Sequence, residues 1–520
     1  MRVLKNSENS HTSSAITIGI VASLLAACGA AVALWCASRG YLLFYGDAEA
    51  HLNIARRVLD SRTPGREQLG TVWLPLPHIL LMPFTMKDTW WYSGLAAVIP
   101  SVVCFTLAGT FLFSACRRIF GSIAAAGTAL LVFALNPNML YLQATPMTEP
   151  VFAAALTALF WATVMYKERP AWGFLWIAAI ASNAAALTRY EGWFLIPFAA
   201  AYLLLSGPNK WHALCYSALA AIGPLAWLAH NAYYYSNPLE FYNGDYSAMA
   251  IYRRQLAEGV ARYPGDHNLR EAIHYYAAAV KFVAGWGTVG FGVAGAIIAV
   301  ARKHCWPILL LTLAPVFYVL SIHSSGTPLY VPGLWPDAWY NTRYALAALP
   351  LLAFGAASAV DALRIHPLVS GRTWAAATLV SGIALTGALT SLPITWQESR
   401  VNSLARREWT RQAAKFMSTH YRTGSGVIYS FGDLTGILRE AHIPLREGLH
   451  EGNRPNWDAA VQRPDLFLRE EWAIAVSGDK LATAILRAGR TGPHYNLEKQ
   501  IIVEGAPVIE IYRRVPIQIQ

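Results

Sequence analysis

Residues 15–37 read AITIGIVASLLAACGAAVALWCA, with no charged side chain from end to end. A run of roughly 20 apolar residues is long enough to cross the hydrocarbon core of a bilayer as a helix. In lipid no peptide N–H or C=O can be left without a partner, so a run this long has to be helical. Runs of this kind recur through the first three quarters of the chain, and their recurrence restricts the fold more than any single motif. The composition agrees: the 520 residues are 55% hydrophobic and 14% charged, against about 25% charged in soluble domains. The sequence therefore reads as an α-helical polytopic membrane protein. Its net charge of +11 is spread over short loops between apolar runs, as helix orientation requires, and does not point to nucleic acid.

The apolar runs predict about eleven spans, near 15–37, 92–115, 121–140, 149–166, 172–188, 191–206, 211–232, 280–301, 305–322, 343–361 and 374–394. With the N-terminus in the cytoplasm, every short inner loop is basic: Arg117/Arg118, Lys167/Arg169, Lys210, Arg302/Lys303 and Arg364/Arg372. The outer side then receives residues 38–91, 137–148, 233–279 and 323–342, and the tail from about 395. Cys28, Cys36, Cys104, Cys116, Cys215 and Cys305 lie in or beside apolar runs without metal-ligand spacing, and read as small packing residues. LAACG at Leu25–Gly29 resembles a lipoprotein cleavage box, but the apolar run continues past it, so an uncleaved first helix is expected.

The tail alternates strand and helix: GVIYSF, LTGILREA, EWAIAVSG, KLATAILRAG and a closing hairpin turning at Glu504–Pro507. This predicts a small α/β domain outside the cytoplasm. The expected division is 1–396, transmembrane, with 38–91 as its first outer loop, and 397–520, the α/β domain.

Polar residues gather at the outer ends of the spans. Asp47 and Glu49 follow the first run in YGDAEAHLNIARR, which also holds His51, Arg56 and Arg57. Glu149 opens the fourth span. Arg189, Tyr190 and Glu191 form the turn LTRYEGW, and Arg343 and Tyr344 lie in WYNTRYALAALP. Charges near the apolar region cost roughly 2.5 to 3.5 kcal/mol each on insertion scales unless paired or wetted. Several on one side predict a shared outer cavity, although acids and arginines also stitch helix ends together. Residues 47–60 read as an amphipathic helix at the membrane surface. Residues 61–84, rich in proline, read as re-entrant or interfacial, with Trp73 and His78 more simply taken as an interface aromatic and a satisfied histidine. The long loop after span seven, with a turn at Asn243-Gly244, is expected to act as a lid or to shape an entrance.

These residues carry a resemblance. A first span followed by GDAEAHLNIARR and then PG…QLGTVWLPLPH, with TRYEGW and YNTRY at later outer positions, resembles the GT-C glycosyltransferase superfamily. Within it, the chain is similar to bacterial membrane enzymes of the protein-mannosyltransferase and aminoarabinose-transferase type. The resemblance implies transfer of a sugar from a polyprenyl-phosphate carrier to an acceptor at the outer face of the bacterial inner membrane, with no metal cofactor. It places the family's active-site acid at Asp47. Many members carry two adjacent acids there, whereas this chain has Asp47-Ala48-Glu49. The signature Trp-Trp-Asp-Tyr-Gly of oligosaccharyltransferases is absent, since TWWYSG at Thr89–Gly94 lacks the acid.

The residue types suit that chemistry. A carboxylate can take the proton of an acceptor hydroxyl as it attacks C1 of the sugar, the role given to Asp47, with Glu49 beside it. Arginine forks can hold the departing lipid phosphate: Arg343 first, then Arg189 and Arg56 or Arg57. Tyr344, Tyr190, His51, Glu149 and Glu191 are further candidates for the substrate side. Asp47, Glu49 and Glu149 also have the oxygen ligands that a divalent ion would take. The acceptor stays open between lipid A, a protein hydroxyl, a wall polymer and a glycolipid. The non-enzyme alternative is a lipid or sugar transporter, which favours polar residues and broken helices at the bilayer midplane. Here the span interiors are almost uncharged.

Overall fold

The computed structural model describes residues 2–363, 370–389 and 392–515. Arg364, residues 390–391 of the last expected span and residues 516–520 lie outside the described residues. The chain divides into two compact units. The first comprises Met1–Arg39, Thr71–Pro77 and Val98–Glu398, and the second Gly40–Gly70, His78–Ala97 and Ser399–Gln520.

The first unit is helical, and each expected span overlaps one or more helices. Six helices among the described residues are long and apolar enough to cross a membrane: Ala15–Ser38, Leu95–Phe120, Glu149–Glu168, Lys210–Tyr235, Cys305–His323 and Thr342–Ala362. Ile123–Ala134, Trp172–Ala186 and Glu191–Ser206 are apolar but shorter. At about 1.5 Å per residue, helices of this length fall short of the roughly 30 Å core. The expected span 280–301 is not one helix. Leu269–Ala284 and Trp286–Ala301 meet at 112°, across Gly285 at φ +79°, a left-handed conformation that favours glycine.

Small residues let the helices of this unit touch. Trp286–Ala301 lies against Leu349–Ala362 so closely that a Cβ on Gly295 would stand 1.7 Å from the Gly355 carbonyl oxygen, and one on Gly355 2.0 Å from that of Gly292. Lipid gives apolar helices no hydrophobic reason to associate, so close backbone packing supplies the attraction.

The second unit is built on a five-stranded sheet. Its strands are β1 (Val427–Tyr429), β2 (Gly448–Leu449), β3 (Trp472–Val476), β4 (Tyr495–Ile501) and β5 (Ile509–Arg514), in the order β2-β1-β3-β5-β4. β1 pairs parallel with β2 and β3, while β5 runs antiparallel to β3 and β4. Successive side chains on a strand face opposite sides, and the core follows that rule. Val427, Tyr429, Trp472, Ile474 and Ile511 join one apolar layer, whereas Ile428, Ala473, Ala475 and Tyr512 join the other. Helix Ile394–His420 packs on the first layer through Trp409, Ala413 and Met417. Helix Lys480–Thr491 packs on the second through Leu481 and Ile485. β1, β3, the helices Thr435–Glu440 and Lys480–Thr491 and the β4–β5 hairpin all stand where the sequence puts them. The two-residue β2 and the long helix Ile394–His420 were not legible.

The segment after the first span also belongs to this second core. Helix Gly46–Arg57 forms as expected, with Leu52 fully buried in the first layer. It is not an amphipathic helix with a wet face, because Glu49, His51, Asn53, Arg56 and Arg57 are buried as well.

Candidate functional site

In the first unit the chain turns sharply between Trp172–Ala186 and Glu191–Ser206. Gly192 makes the turn possible, since a Cβ there would lie 2.3 Å from the Ala185 carbonyl carbon. The turn aims Arg189 at two acids and a tyrosine. Its Nη1 donates to Thr148 Oγ1 at 2.6 Å and Glu149 Oε1 at 3.0 Å, and its Nε to Glu191 Oε1 at 2.5 Å and the Tyr318 hydroxyl at 3.0 Å. Tyr318 in turn donates to Glu191.

Arg343 follows Asn341, whose left-handed backbone (φ 59°) starts the 3-10 turn Thr342–Ala348. Its Nε stands 3.2 Å from Glu149 Oε1 and its Nη1 3.4 Å from Glu398 Oε1. Glu149 therefore bridges the two arginines. Glu398, 2% exposed, also accepts the backbone N–H of Asn341 at 3.0 Å and of Thr342 at 2.8 Å. Burial nonetheless pushes its carboxyl above the usual range, against the pull of Arg343. Tyr344 stacks on Tyr318 with ring centroids 4.8 Å apart, and both guanidinium carbons lie about 5 Å from its ring.

These groups close one end of a recess. Glu149, Arg189, Glu191, Tyr318, Arg343 and Tyr344 line that end, and Met139, Phe152, Leu156, Leu346 and Pro350 are among the residues of its apolar wall. The empty space there, open solvent included, amounts to about 330 Å³. One charged end and one apolar wall suit an amphiphile with an anionic head. Tyr190 points elsewhere: its hydroxyl donates to the Val72 carbonyl at 3.0 Å and its ring stacks on Phe241.

In the second unit the candidates fall on helix Gly46–Arg57. Asp47 stands half-buried in its first turn. Glu49, two residues further in, is gripped by two arginines. Arg406 Nη1 donates to its Oε2, and Arg439 Nε donates to its Oε1 at 3.0 Å. Burial alone would raise this carboxyl, but Arg439 and Arg406 outweigh it and hold Glu49 below the usual range. Gly436 leaves room for the clasp, because a Cβ there would come within 2.6 Å of Glu49 Oε1.

Arg406 also donates to the Leu43 and Phe44 carbonyls, and Arg439 to that of Tyr92. His51 Nδ1 lies 2.8 Å from His78 Nε2, but the Nδ1 of His78 is buried with no hydrogen-bond partner among the described residues, so His78 is not the fully satisfied histidine expected of it. Arg56 is held by Asp60, Asp88 and the Thr85 carbonyl. Arg57 donates to the Gln68 carbonyl and covers the Phe431 ring.

The sequence expectation gathers all these residues into one cavity. Within each unit taken by itself, the structure brings some of them together. Glu149, Arg189, Glu191, Arg343 and Tyr344 are together in the first; Asp47, Glu49, His51, Arg56 and Arg57 share a helix in the second. Tyr318, Thr148, Glu398, Arg406 and Arg439 were missed. Tyr318 hides in an apolar run, and Glu398, Arg406 and Arg439 read as ordinary charges of a soluble tail. Among the described residues no three His, Cys, Asp or Glu side chains are grouped to hold a metal ion.

Residues 91–234 match the family model of dolichyl-phosphate-mannose-protein mannosyltransferases. No curated protein matches the chain. Among solved structures, ArnT from Cupriavidus metallidurans in the apo state is similar over 96% of this chain and 98% of its own, at 14% identity and a TM-score of 0.55. The same protein bound to undecaprenyl phosphate is similar over 92% and 97%, at 13% identity and a TM-score of 0.53. The Archaeoglobus fulgidus oligosaccharyltransferase in the apo form is similar over 88% of this chain and 69% of its own, at 12% identity and a TM-score of 0.49. The ArnT likenesses run nearly end to end.

Proposed function

We propose that this chain, a multi-pass membrane glycosyltransferase of the GT-C superfamily, moves a sugar from a polyprenyl-phosphate donor to an acceptor at the outer face of the bacterial inner membrane. The observation that carries the donor is the recess of the first unit, an apolar wall ending in Arg189 and Arg343. A prenyl phosphate has that same division, and ArnT, similar in fold, has been solved with undecaprenyl phosphate. The N-terminus is cytoplasmic and the second unit extracytoplasmic, as the basic inner loops require.

The reaction is a direct displacement. The acceptor oxygen attacks C1 of the sugar while its proton passes to Asp47. The bond from C1 to the phosphate oxygen breaks, its electron pair leaves with the phosphate, and the anomeric centre inverts. Arg343, with Arg189 behind it, stabilises the charge gained by the leaving group. Two arginines already neutralise Glu49 and depress its pKa, which makes it a weak base, so its part is to hold the helix that carries Asp47. Arg56, Arg57 and His51 also have partners within their own unit and support that helix. The same chemistry needs no metal.

The test is release of polyprenyl phosphate by purified protein from a panel of radiolabelled polyprenyl-phosphate sugars, with a membrane extract as the acceptor source. Wild type is expected to turn over, with and without chelator, and Asp47→Asn to lose turnover while still binding the donor. Undiminished turnover in Asp47→Asn overturns the base assignment. Donor binding that survives Arg343→Gln and Arg189→Gln together overturns the recess as the phosphate site.

A further inference from the structure

We infer that Glu149 makes the recess of the first unit a site for a singly charged phosphate: the polyprenyl phosphate left after transfer binds there together with one proton, shared between a phosphate oxygen and Glu149 Oε2. The inference rests on the recess being the phosphate site, as proposed above, and adds the proton and its acceptor.

Glu149 is held by one oxygen only. Its Oε1 accepts from Arg189 Nη1 at 3.0 Å and stands 3.2 Å from Arg343 Nε. Its Oε2 is buried and has no hydrogen-bond partner among the described residues. The side chain is 7% exposed and lines the recess. A buried carboxylate oxygen without a donor is costly and calls for one. The charged and titratable groups that face Glu149 are Arg189 and Glu191 from the turn, Tyr318 from the span Cys305–His323, and Arg343 and Tyr344 from the 3-10 turn, with Glu398 behind Arg343. None of them supplies the donor. Arg189 spends its nitrogens on Thr148, Glu149 Oε1, Glu191 and Tyr318, and Tyr318 spends its hydroxyl on Glu191. The donor has to arrive with the ligand.

Charge points the same way. The lining holds two guanidinium groups and two carboxylates, and Glu398 adds a third carboxylate behind Arg343. Both arginines are thus already countered within their unit. The donor is a phosphate diester and carries one negative charge. Once the bond from C1 to the phosphate oxygen breaks, the phosphate is a monoester, whose second proton leaves near pH 6. At neutral pH the free product would set a second negative charge against Glu149, and like charges repel strongly where water is excluded. One proton taken from solvent and seated between the phosphate oxygen and Oε2 removes that repulsion and supplies the missing donor. Two acids that share a site hold a proton for the same reason, and a hydrogen bond from O–H to a charged oxygen is among the stronger kinds. Retention of the product therefore weakens as pH rises.

The experiment is calorimetric titration of the detergent-purified full chain with undecaprenyl phosphate and with its methyl diester, in buffers of different ionisation enthalpy, which counts the protons taken up. At about pH 8 wild type is expected to take up about one proton per undecaprenyl phosphate bound, and none with the diester, which has no second acidic proton. By linkage, affinity for undecaprenyl phosphate should rise by up to about tenfold from about pH 8 to about pH 7, while affinity for the diester stays flat. Glu149→Gln should abolish the uptake and flatten that rise, and its continued binding of the diester reports a folded recess. If the variant does not fold, the wild-type contrast between monoester and diester decides alone. Binding of undecaprenyl phosphate by wild type without proton uptake, the same uptake with the diester, or uptake that persists in folded Glu149→Gln would each overturn the inference. Binding of both ligands that survives Arg343→Gln and Arg189→Gln together would instead overturn the recess as the phosphate site, a failure distinct from the loss of proton uptake.

Discussion

Each unit buries a glutamate between two arginines, and the two arrangements differ in what surrounds them. In the first unit Glu149 lies between Arg189 and Arg343 at the end of a recess with an apolar wall. In the second, Glu49 lies between Arg406 and Arg439, and those arginines also bind the carbonyls of Leu43, Phe44 and Tyr92. The first arrangement keeps its cations in the lining of a recess with an apolar wall. The second uses its cations to fasten three stretches of chain within one unit. Buried charge pairs contribute little net stability, since desolvation offsets their attraction, yet losing one partner is costly. The same pairing can therefore serve a site or a scaffold, and the neighbours decide which.

The comparison breaks most visibly if one partner is removed from each pair. Arg406→Gln leaves Glu49 with one cation and releases two carbonyls. It should destabilise the second unit by about 3 to 5 kcal/mol, seen as faster hydrogen exchange in β1, β3 and helix Gly46–Arg57. Arg343→Gln should instead cost roughly 10²- to 10³-fold in turnover, read from polyprenyl phosphate release, with exchange in β1 and β3 unchanged. If Arg343→Gln only unfolds the first unit and its folded fraction keeps wild-type turnover, Arg343 belongs with the scaffold.

The two units also cohere by different means. The first relies on backbone approach at Gly292, Gly295 and Gly355, the second on two apolar layers about a sheet. Gly295→Ala would put a methyl group on the Gly355 carbonyl and force the helices apart. Overpacking of this kind should cost about 1 to 3 kcal/mol, measured as a lower unfolding temperature of the first unit. A glycine-to-alanine change at Gly424, where an added Cβ would meet no atom within 4 Å but φ is +90°, should show backbone strain alone and no packing clash.

How much of this was legible follows from period and length. Apolar runs located the spans of the first unit because lipid leaves a helix little choice. Gly285, which breaks one of them into two helices at 112°, looked like any glycine in an apolar stretch. Arg189, Glu191 and Arg343 stood out because charges beside apolar runs are costly. Tyr318 did not, because a tyrosine in a span carries no such signal. In the second unit the strands were readable from their alternation and turns. That Gly46–Arg57 belongs to that unit was not readable, since Leu52 and Trp91 join a core formed mostly by residues more than three hundred positions later. Glu49 looked like half of an acid pair with Asp47 until its arginines were in view.

The finest test uses acid, where the two regions should respond with opposite sign. Glu49 is held below the usual carboxyl range by Arg439 and Arg406, against the opposing effect of burial. Its ionised form therefore stabilises the fold above the ordinary glutamate pKa, about 4.3, and that contribution is lost as pH falls from there through the depressed folded value. Glu398 is pushed the other way, by burial. Its ionised form costs stability at neutral pH, and the cost fades as pH falls through its raised folded value, a window that opens above about pH 4.3. A tenfold change in proton affinity corresponds to roughly 1.4 kcal/mol, so the effects are small and call for paired measurements. The stability difference between wild type and Glu398→Gln should move in favour of wild type as pH is lowered from about 7 to about 5. The difference between wild type and Glu49→Gln should stay constant over that interval and shrink only below it. A shared direction for the two variants would mean that Arg343 holds Glu398 as firmly as two arginines hold Glu49, and the contrast between recess and clasp would lose its electrostatic half.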